Sequence, residues 1–265
     1  MAADEVLVER AGRVLRVTLN RPDKHNPLSR ALLARLREVF EGARDERDLA
    51  CAVLTGAGDR YFAAGGDLRD LAHVRAEADV RAMATEARAA LDAVRSFPLP
   101  VIARVNGDAI GGGAELALAC DLRVMRDGAH IGYVHGRLAI TSAWGGGPDL
   151  AALVGPARAL RMTSRCELVP AATALDWGLA DAIAGAEALD ATLAEFIAPL
   201  LKQPAVALRG CKAQALAARR GDPYADRRAL EQTYFVATWT HDDHWAAVDR
   251  ILSRGPSASP QRNTR

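Results

Sequence analysis

The sequence predicts an α/β domain that is followed by an all-α C-terminal region. Short apolar runs of strand length alternate with longer segments of helical periodicity up to about residue 203. Beyond residue 204 no strand-like run remains, and Ala, Leu and Arg occur in helical proportion. A chain of 265 residues is long enough to bury a large core. These observations favour one α/β core with a helical appendage.

The first predicted elements are a β-hairpin and an amphipathic helix. Residues 6–9 and 14–19 have strand character, and Gly12 between them supplies the turn. Ser29 is a suitable N-cap for a helix that runs to about Arg44. The apolar positions of this helix fall on one face: Leu32, Leu33, Leu36, Val39 and Phe40.

The middle of the chain repeats the order of strand, loop and helix. The apolar runs predicted to be strands are residues 51–55, 101–105 and 122–125. Residues 56–66 are predicted to form a loop. A long helix with a polar face is predicted over residues 77–97, and a short, nearly all-apolar helix over residues 112–119. The second of these has the composition of a buried helix.

The C-terminal fifth is predicted to consist of helices and a polar tail. The helices are expected at residues 205–220, 223–239 and 243–253. The tail is rich in Ser and Pro and has too little apolar surface to order itself. The predicted division is therefore a core over residues 1–203, a helical region over 204–254 and a disordered segment over 255–265.

Charge and cysteine usage exclude several classes of protein. The formal net charge is +1, so the protein has no strong positive electrostatic field to attract the phosphate backbone of a nucleic acid. Nucleic acid is therefore not an expected partner. The four cysteines are scattered and form no C-x-x-C pair, which fits a reduced compartment. The N-terminus has neither a signal-peptide pattern nor a long apolar run. We therefore expect a cytoplasmic protein with no membrane association.

Familiar nucleotide and hydrolase motifs are absent from the sequence. The glycines near residue 111 do not fit G-x-G-x-x-G in any frame, which argues against a dinucleotide site. No phosphate-binding G-x-x-x-x-G-K-[ST] occurs, and Ser142 lacks the flanking glycines of a nucleophile elbow. Phosphoryl transfer and serine hydrolysis are not supported.

Two glycine-bearing loops that each precede a helix remain as candidate functional motifs. They span residues 62–68 and 106–116. The first backbone N–H groups of a helix lack intrahelical partners, and glycine lets a ligand approach them closely. Each loop alone is a weak signal, because glycine often serves only to turn the chain. Two such N–H groups facing one another would form an oxyanion hole.

Motifs in these loops and in the first strands carry a family resemblance. The sequence resembles the enoyl-CoA hydratase/isomerase (crotonase) superfamily at residues 17–24 (VTLNRPDK), 53–58 (VLTGAG), 62–68 (FAAGGDL) and 111–116 (GGGAEL). The similarity extends over roughly residues 6–250. It implies a crotonase-like spiral of strand-strand-helix units with a C-terminal all-α trimerisation region. A homotrimer or a hexamer built as a dimer of trimers is the assembly that it implies.

The resemblance also assigns roles to residues of this chain. Gly66 and Gly112 would donate their N–H groups to the thioester oxygen of an acyl-CoA substrate. Ala64 and Leu68 would border the adenine and the pantetheine, and Lys24 would lie near the CoA phosphates. Coenzyme A enters as part of the substrate, so no separate cofactor and no metal are expected.

The acid and base residues depart from the family pattern. Family hydratases use two glutamates, of which the first aligns with Glu115, and a carboxylate at this place would also suit the first turn of a helix. His135 stands where the second glutamate belongs, and imidazole can donate or accept a proton near neutral pH. Asp67 follows a proposed N–H donor and is interpreted as a cap rather than a catalyst.

Local similarity points to one branch of the superfamily. Val134-His135, residues 142–147 (SAWGGG) and residues 237–239 (ATW) resemble the ethylmalonyl-CoA and methylmalonyl-CoA decarboxylases. Decarboxylation needs an oxyanion hole, an apolar pocket for the departing carboxylate and one proton donor. Trp144 would line the carboxylate end, or it would fill the core beside its glycines. His135 or Glu115 would return the proton.

Three hypotheses follow for the function. The first is a decarboxylase of an alkylmalonyl-CoA. The second is an enoyl-CoA hydratase or isomerase of fatty-acid type metabolism that tolerates His135. The third is a catalytically inactive relative that binds CoA or RNA, and the balanced net charge weakens its RNA form. The acyl pocket wall is predicted to come from residues 70–81 and the C-terminal helices.

Overall fold

The computed structural model describes residues 4–253 and forms two compact units. The first unit ends at Lys212 and the second begins at Ala213. The predicted domain boundary after residue 203 remains a prediction. The predicted disordered segment, residues 255–265, lies outside the described residues.

Strands and helices alternate along the chain. The strands are β1 (Val6–Ala11), β2 (Val14–Leu19), β3 (Cys51–Gly56), β4 (Tyr61–Ala63), β5 (Val101–Val105), β6 (Asp108–Ile110), β7 (Leu122–Arg126), β8 (His130–Gly132), β9 (Leu168–Pro170) and β10 (Ala182–Ala184). The helices are α1 (Arg30–Gly42), α2 (Glu77–Arg95), α3 (Gly112–Ala119), α4 (Gly146–Arg165), α5 (Ala171–Asp176), α6 (Leu189–Leu201), α7 (Ala205–Arg219), α8 (Tyr224–Trp239) and α9 (Asp242–Ser253).

Two sheets hold the first unit together. The larger sheet has the strand order β1-β2-β3-β5-β7-β10, and the smaller has the order β4-β6-β8-β9. From β3 to β8, consecutive strands alternate between the larger and the smaller sheet, and a helix follows each pair of strands. The turns are β3-β4-α2, β5-β6-α3 and β7-β8-α4. The predicted spiral of strand-strand-helix units is confirmed.

Both faces of the larger sheet are covered by apolar side chains. Along β2, Leu15 and Val17 point into the main core, which α1, α2 and α3 also fill. Val14 of the same strand belongs to a second cluster, where α6 packs with residues such as Leu193 and Ile197. A parallel sheet that is buried on both faces produces continuous apolar runs, which explains the composition of the predicted strands.

The first helix begins as its sequence predicts. The Ser29 hydroxyl accepts a hydrogen bond from the Leu32 N–H at 3.1 Å, so Ser29 is the N-cap. The predicted apolar face of α1 is buried. The helix ends at Gly42, slightly before the predicted end at about Arg44.

The prediction of a loop over residues 56–66 is wrong in part. This segment contains β4, which pairs in parallel with β6. A strand of three residues is too short to show the alternation by which strands are recognised in a sequence. The correction matters because β4 and β6 place the two glycine-bearing loops side by side.

The helices that follow residue 204 agree with the predicted ones. Predicted segments 205–220, 223–239 and 243–253 correspond to α7, α8 and α9. The boundary between the two compact units falls within α7. Among residues 4–253, no helix combines the length and the hydropathy that a membrane crossing requires.

Candidate active site

The first glycine-bearing loop leaves one backbone N–H unpaired. The Leu28 N–H donates to the Gly65 carbonyl at 2.8 Å, and the Asp67 N–H donates to the Leu28 carbonyl at 3.1 Å. Gly66 lies between these two bonds, and its own N–H has no acceptor among the described residues. Gly65 has a φ of +108°, a conformation that favours glycine.

The second loop delivers another unpaired N–H at the start of α3. Gly111, with a φ of +55°, is the N-cap, and its N–H donates to the Gly132 carbonyl at 2.8 Å. The next N–H belongs to Gly112, the first residue of the helix, and has no acceptor among residues 4–253. This N–H is one of the donors that every helix start leaves unsatisfied.

The structure brings Gly66 and Gly112 together. A methyl group placed on Gly65 would lie 3.6 Å from the Gly112 nitrogen. Methyl groups placed on Gly66 and Gly112 would lie 3.4 Å and 2.3 Å from the indole of Trp144. One aromatic ring therefore covers both glycines, and no side chain larger than hydrogen fits at Gly112 unless the ring moves.

Glu115 and His135 lie in close polar contact beside these glycines. Oε1 of Glu115 lies 3.1 Å from Nε2 of His135. Oε2 accepts from the N–H groups of Trp144 at 3.0 Å and of Gly146 at 2.9 Å. Glu115 is only 1% exposed, and the His135 side chain is 13% exposed. The carboxylate is fixed at both oxygens, and the histidine is the member of the pair that reaches solvent.

Arg95 and Tyr133 fix the segment that holds Glu115. Arg95 is buried and donates from Nη2 to the Trp144 carbonyl at 2.9 Å and from Nε to Asp149 at 2.7 Å. The Tyr133 hydroxyl donates to the Gly146 carbonyl at 2.8 Å. Burial alone would lower the pKa of Arg95, but the charges and hydrogen bonds of Asp149 and Asp92 together outweigh it and hold that pKa above its usual value.

Asp67 acts as a cap, as the sequence predicts. Its Oδ1 accepts from the N–H groups of Arg69 and Asp70, and its Oδ2 lies 2.8 Å from the Arg21 guanidinium. Burial would raise the pKa of Asp67, but the bonds from Arg21, Asp70 and Arg69 outweigh it, so the pKa lies below its ordinary value. These contacts tie the carboxylate to the backbone that follows it and to the segment that contains Arg21.

One cavity of about 180 Å³ is lined by all of the predicted site residues except Lys24. Its walls include Ala64, Gly66, Leu68, Gly112, Glu115, His135 and Trp144. The remaining lining residues are Gly65, Leu71, Met83, Gly111, Val134, Leu138, Ile140, Thr141 and Ala143. Among these lining residues there is no lysine and no arginine. The walls are apolar apart from the glycine backbone, Thr141 and the Glu115–His135 pair.

Lys24 lies outside this cavity wall. It is exposed at the end of the 3₁₀ turn Pro22–Lys24. The N–H of Ala64 donates to the backbone carbonyl of His25, the residue after Lys24, at 3.0 Å. This bond connects the turn to the rim of the cavity. The role of Lys24 beside the CoA phosphates remains a prediction.

Sequence reasoning missed several residues of the site. Leu71 lies in the segment 70–81 that was predicted to form a pocket wall, but Met83, Leu138 and Ile140 carried no motif. Arg95 sits in the last turn of α2, where a basic residue usually faces solvent and favours the helix dipole. Its burial depends on Asp149, which is 54 residues away along the chain.

Comparisons with known proteins agree with this geometry. A profile of the family described as enoyl-CoA hydratase/isomerase matches residues 9–256. The 2,3-dehydroadipyl-CoA hydratase of Escherichia coli is 32% identical over 94% of this chain and 96% of its own length. The crotonyl-CoA hydratase of Syntrophomonas wolfei is 29% identical over 81% of this chain and 82% of its own.

A solved structure of a named hydratase has a similar fold. The enoyl-CoA hydratase of Bacillus anthracis superposes with a TM-score of 0.89 at 28% identity, and the match covers 95% of this chain and 97% of the other.

Proposed function

We infer the function from one premise, that the chain belongs to the enoyl-CoA hydratase/isomerase family. The substrate class is accordingly an acyl-CoA thioester. The finer assignment, the reaction and the roles of single residues, rests on the geometry of the cavity that contains Glu115 and His135.

The proposed roles of Gly66 and Gly112 are those of an oxyanion hole. Both residues line the cavity and lie against the Trp144 indole, and neither N–H has an acceptor among the described residues. A thioester oxygen gains negative charge when the adjacent carbon becomes enolate-like. A preorganised donor aimed at that oxygen lowers the barrier by about 3–4 kcal/mol. Two such donors support enolate chemistry.

The proposed reaction is decarboxylation of an alkylmalonyl-CoA. The bond between the α-carbon and the carboxylate breaks, CO2 leaves, and the electron pair forms the enolate at the two glycines. The Glu115–His135 pair then gives one proton to the α-carbon and regains it from water. The observation that carries this proposal is that the Glu115 carboxylate, held by two backbone N–H groups, lies 3.1 Å from Nε2 of His135, the residue that stands where the family has a second glutamate.

The apolar wall supports the same reaction. Neither lysine nor arginine lines the cavity, so a substrate carboxylate there would lose its water without gaining a permanently charged partner. Loss of CO2 disperses that charge into the enolate, which the glycines stabilise. The same wall counts against a substrate whose carboxylate survives the reaction inside this cavity.

Hydration of an enoyl-CoA is the second candidate. It is favoured by the names of the relatives from E. coli and S. wolfei and by the presence of Glu115 at the first glutamate position. Water addition needs a base for the water and an acid for the α-carbon. Here both tasks would fall to Glu115 and His135, whose side chains lie 3.1 Å apart.

A panel of acyl-CoA substrates scored by mass tests the proposal. Ethylmalonyl-CoA and methylmalonyl-CoA are expected to lose the mass of CO2, and Glu115→Gln is expected to lower that rate by about 10²–10⁴-fold. Crotonyl-CoA that gains the mass of water, with both malonyl thioesters unchanged, would contradict decarboxylation in favour of hydration. An inert panel with tight, salt-sensitive RNA binding would support a non-catalytic relative.

The proposed assembly is a homotrimer or a dimer of trimers. The second unit, described by itself, exposes large apolar side chains on α8 and α9: Tyr224, Phe235, Val236, Trp239, Trp245, Ile251 and Leu252. Such a concentration of exposed apolar surface is typical of a protein–protein contact. Light scattering coupled to size-exclusion chromatography tests it, and a monomer at micromolar concentration would contradict it.

A further inference from the structure

A second cavity lies behind the wall of the candidate active site. It measures about 290 Å³ and opens between α1 and α2. Its apolar lining consists of Leu28, Leu33, Ala34, Leu71, Met83, Ala87 and Trp144, and its charged lining of Arg30, Arg37, Glu38, Glu41 and Glu86. The charged residues include an ion pair between Arg30 and Glu86, at 2.8 Å.

Three side chains are common to the two cavities. Leu71, Met83 and Trp144 line both the second cavity and the cavity that contains Glu115 and His135. These three residues, which we call the partition, separate the space at the two glycines from the space between the helices. On the far side of the partition, the second cavity also has apolar side chains in its wall. An alkyl chain could therefore be accommodated on either side of the partition.

Trp144 is the rigid member of the partition. It is 7% exposed, and its indole covers Gly66 and Gly112. Its backbone N–H donates to Glu115 and its carbonyl accepts from Arg95, so two buried charged side chains hold the residue in place. A side chain fixed in this way costs free energy to displace, unlike Met83, which has three rotatable bonds.

We propose that Trp144 limits the length of the acyl group, so that the enzyme takes short-chain acyl-CoA thioesters and excludes medium-chain ones. This inference rests on the proposed function, because it assumes that the thioester oxygen lies at Gly66 and Gly112. An acyl chain that extends from that point meets the indole, and removal of the indole opens a path to the cavity between α1 and α2.

Equilibrium binding of saturated acyl-CoA thioesters tests the proposal without requiring turnover. Acetyl-, butyryl-, hexanoyl- and octanoyl-CoA are titrated into the wild-type enzyme and into Trp144→Leu. Burying one methylene contributes about fourfold in affinity. The wild type is expected to gain affinity up to butyryl-CoA and to lose it for octanoyl-CoA, whereas Trp144→Leu is expected to bind octanoyl-CoA at least about tenfold more tightly than the wild type does.

Two further variants make the result decisive. Trp177→Leu is the matched control, since Trp177 contacts Arg158 and Arg161 and lines neither cavity. It is expected to keep the wild-type length profile. Met83→Ala removes part of the same partition on the side of α2, and it is expected to shift the length profile in the same direction as Trp144→Leu does. If Trp144→Leu does not fold, Met83→Ala still tests the partition.

The outcomes separate this inference from the proposed function. A wild type that binds octanoyl-CoA more tightly than butyryl-CoA would overturn the length limit. So would variants of both Trp144 and Met83 that retain the wild-type profile. A wild type that binds none of the four thioesters would instead overturn the acyl-CoA site at Gly66 and Gly112, and the length limit with it.

Discussion

At the scale of single residues, the site depends on positions where only hydrogen fits. Gly112 meets the Trp144 ring, and Gly146 meets Glu115, whose Cγ would lie 2.4 Å from an added methyl group. Neither glycine has a positive φ, so neither needs the backbone freedom that is peculiar to glycine. The requirement at Gly112 and Gly146 is therefore for space beside Trp144 and the proposed catalytic residue Glu115.

Gly112→Ala is expected to reduce activity while the fold persists. The added methyl group must displace the indole, which shifts the wall of the cavity and the proposed N–H donor. A misplacement of about 1 Å can lower kcat/KM by about 100-fold. Gly128→Ala is the control, because no heavy atom lies within 4 Å of the added methyl group. Equal activity of the two variants would show that Gly112 is not part of the site.

Asp67→Asn is expected to lower stability at neutral pH but not in acid. The folded state holds the pKa of Asp67 below its unfolded value, so its contribution is present above that unfolded value, about 3.9. The contribution is lost as the pH falls through the folded pKa. We expect a loss of about 1.5–3 kcal/mol in the free energy of unfolding at pH 7. Urea denaturation measured at pH 7 and at pH 3 checks this, and a difference that is independent of pH would contradict it.

At the scale of elements, short strands set the geometry of the site. β4 and β6 have three residues each and pair in parallel, so the loops that follow them emerge at the same edge of the smaller sheet. The second glycine motif precedes α3, as predicted, but the prediction that the first motif precedes a helix is wrong, because turns follow it and α2 begins only at Glu77. Their adjacency could not be derived from periodicity, because a three-residue strand carries too little pattern.

The longer strands and helices could be predicted from the sequence for physical reasons that do not apply to the short strands. β3 and β5 are buried on both faces over residues 51–54 and 101–103 and therefore form apolar runs there. Ser29 marked the start of α1 through its hydroxyl. In contrast, α4 contains Gly155 with a φ of +80° in its middle, followed by Pro156, and this break hides its helical periodicity.

Arg95→Met is expected to weaken both stability and catalysis. Arg95 joins the end of α2 to Asp149 at the start of α4 and to the Trp144 carbonyl. Removing one partner of a buried ion pair costs about 3–5 kcal/mol in the free energy of unfolding. Because Trp144 and Glu115 then lose their positioning, kcat is expected to fall more than KM rises.

Two variants distinguish this positioning from general destabilisation. Arg95→Lys keeps the charge near Asp149 and is expected to recover part of the stability, but less of kcat, because lysine lacks the planar fork of arginine. Arg88→Met, on the same helix, removes an exposed arginine that donates to the Ala143 carbonyl at 2.9 Å. It is expected to change the free energy of unfolding by about 0.5 kcal/mol or less. A kcat that follows stability alone across these variants would contradict the positioning role.

At the scale of the whole molecule, the two compact units differ in how far their large apolar side chains are buried. The first unit contains the two sheets and the described cavities, and its core is extensive. The second unit, residues 213–253, keeps its large apolar side chains exposed. Helical periodicity in the sequence predicted its helices, but it could not show which faces remain uncovered in a single chain.

Phe235→Asp is expected to weaken self-association. Phe235 is 58% exposed on α8, and a carboxylate buried in a protein–protein contact without a partner is strongly unfavourable. The variant is expected to shift the measured mass toward the monomer at micromolar concentration. Gln232→Asp adds a charge at an exposed polar position of the same helix and serves as the control. An unchanged mass for Phe235→Asp would remove this residue from the proposed contact.

The central claim is that the backbone N–H groups of Gly66 and Gly112 donate to one thioester oxygen. A crystal structure of the enzyme with butyryl-CoA tests this claim most directly. The account predicts that the thioester oxygen lies about 3 Å from both nitrogens. A thioester oxygen that contacts only one of the two nitrogens, or neither, would contradict it.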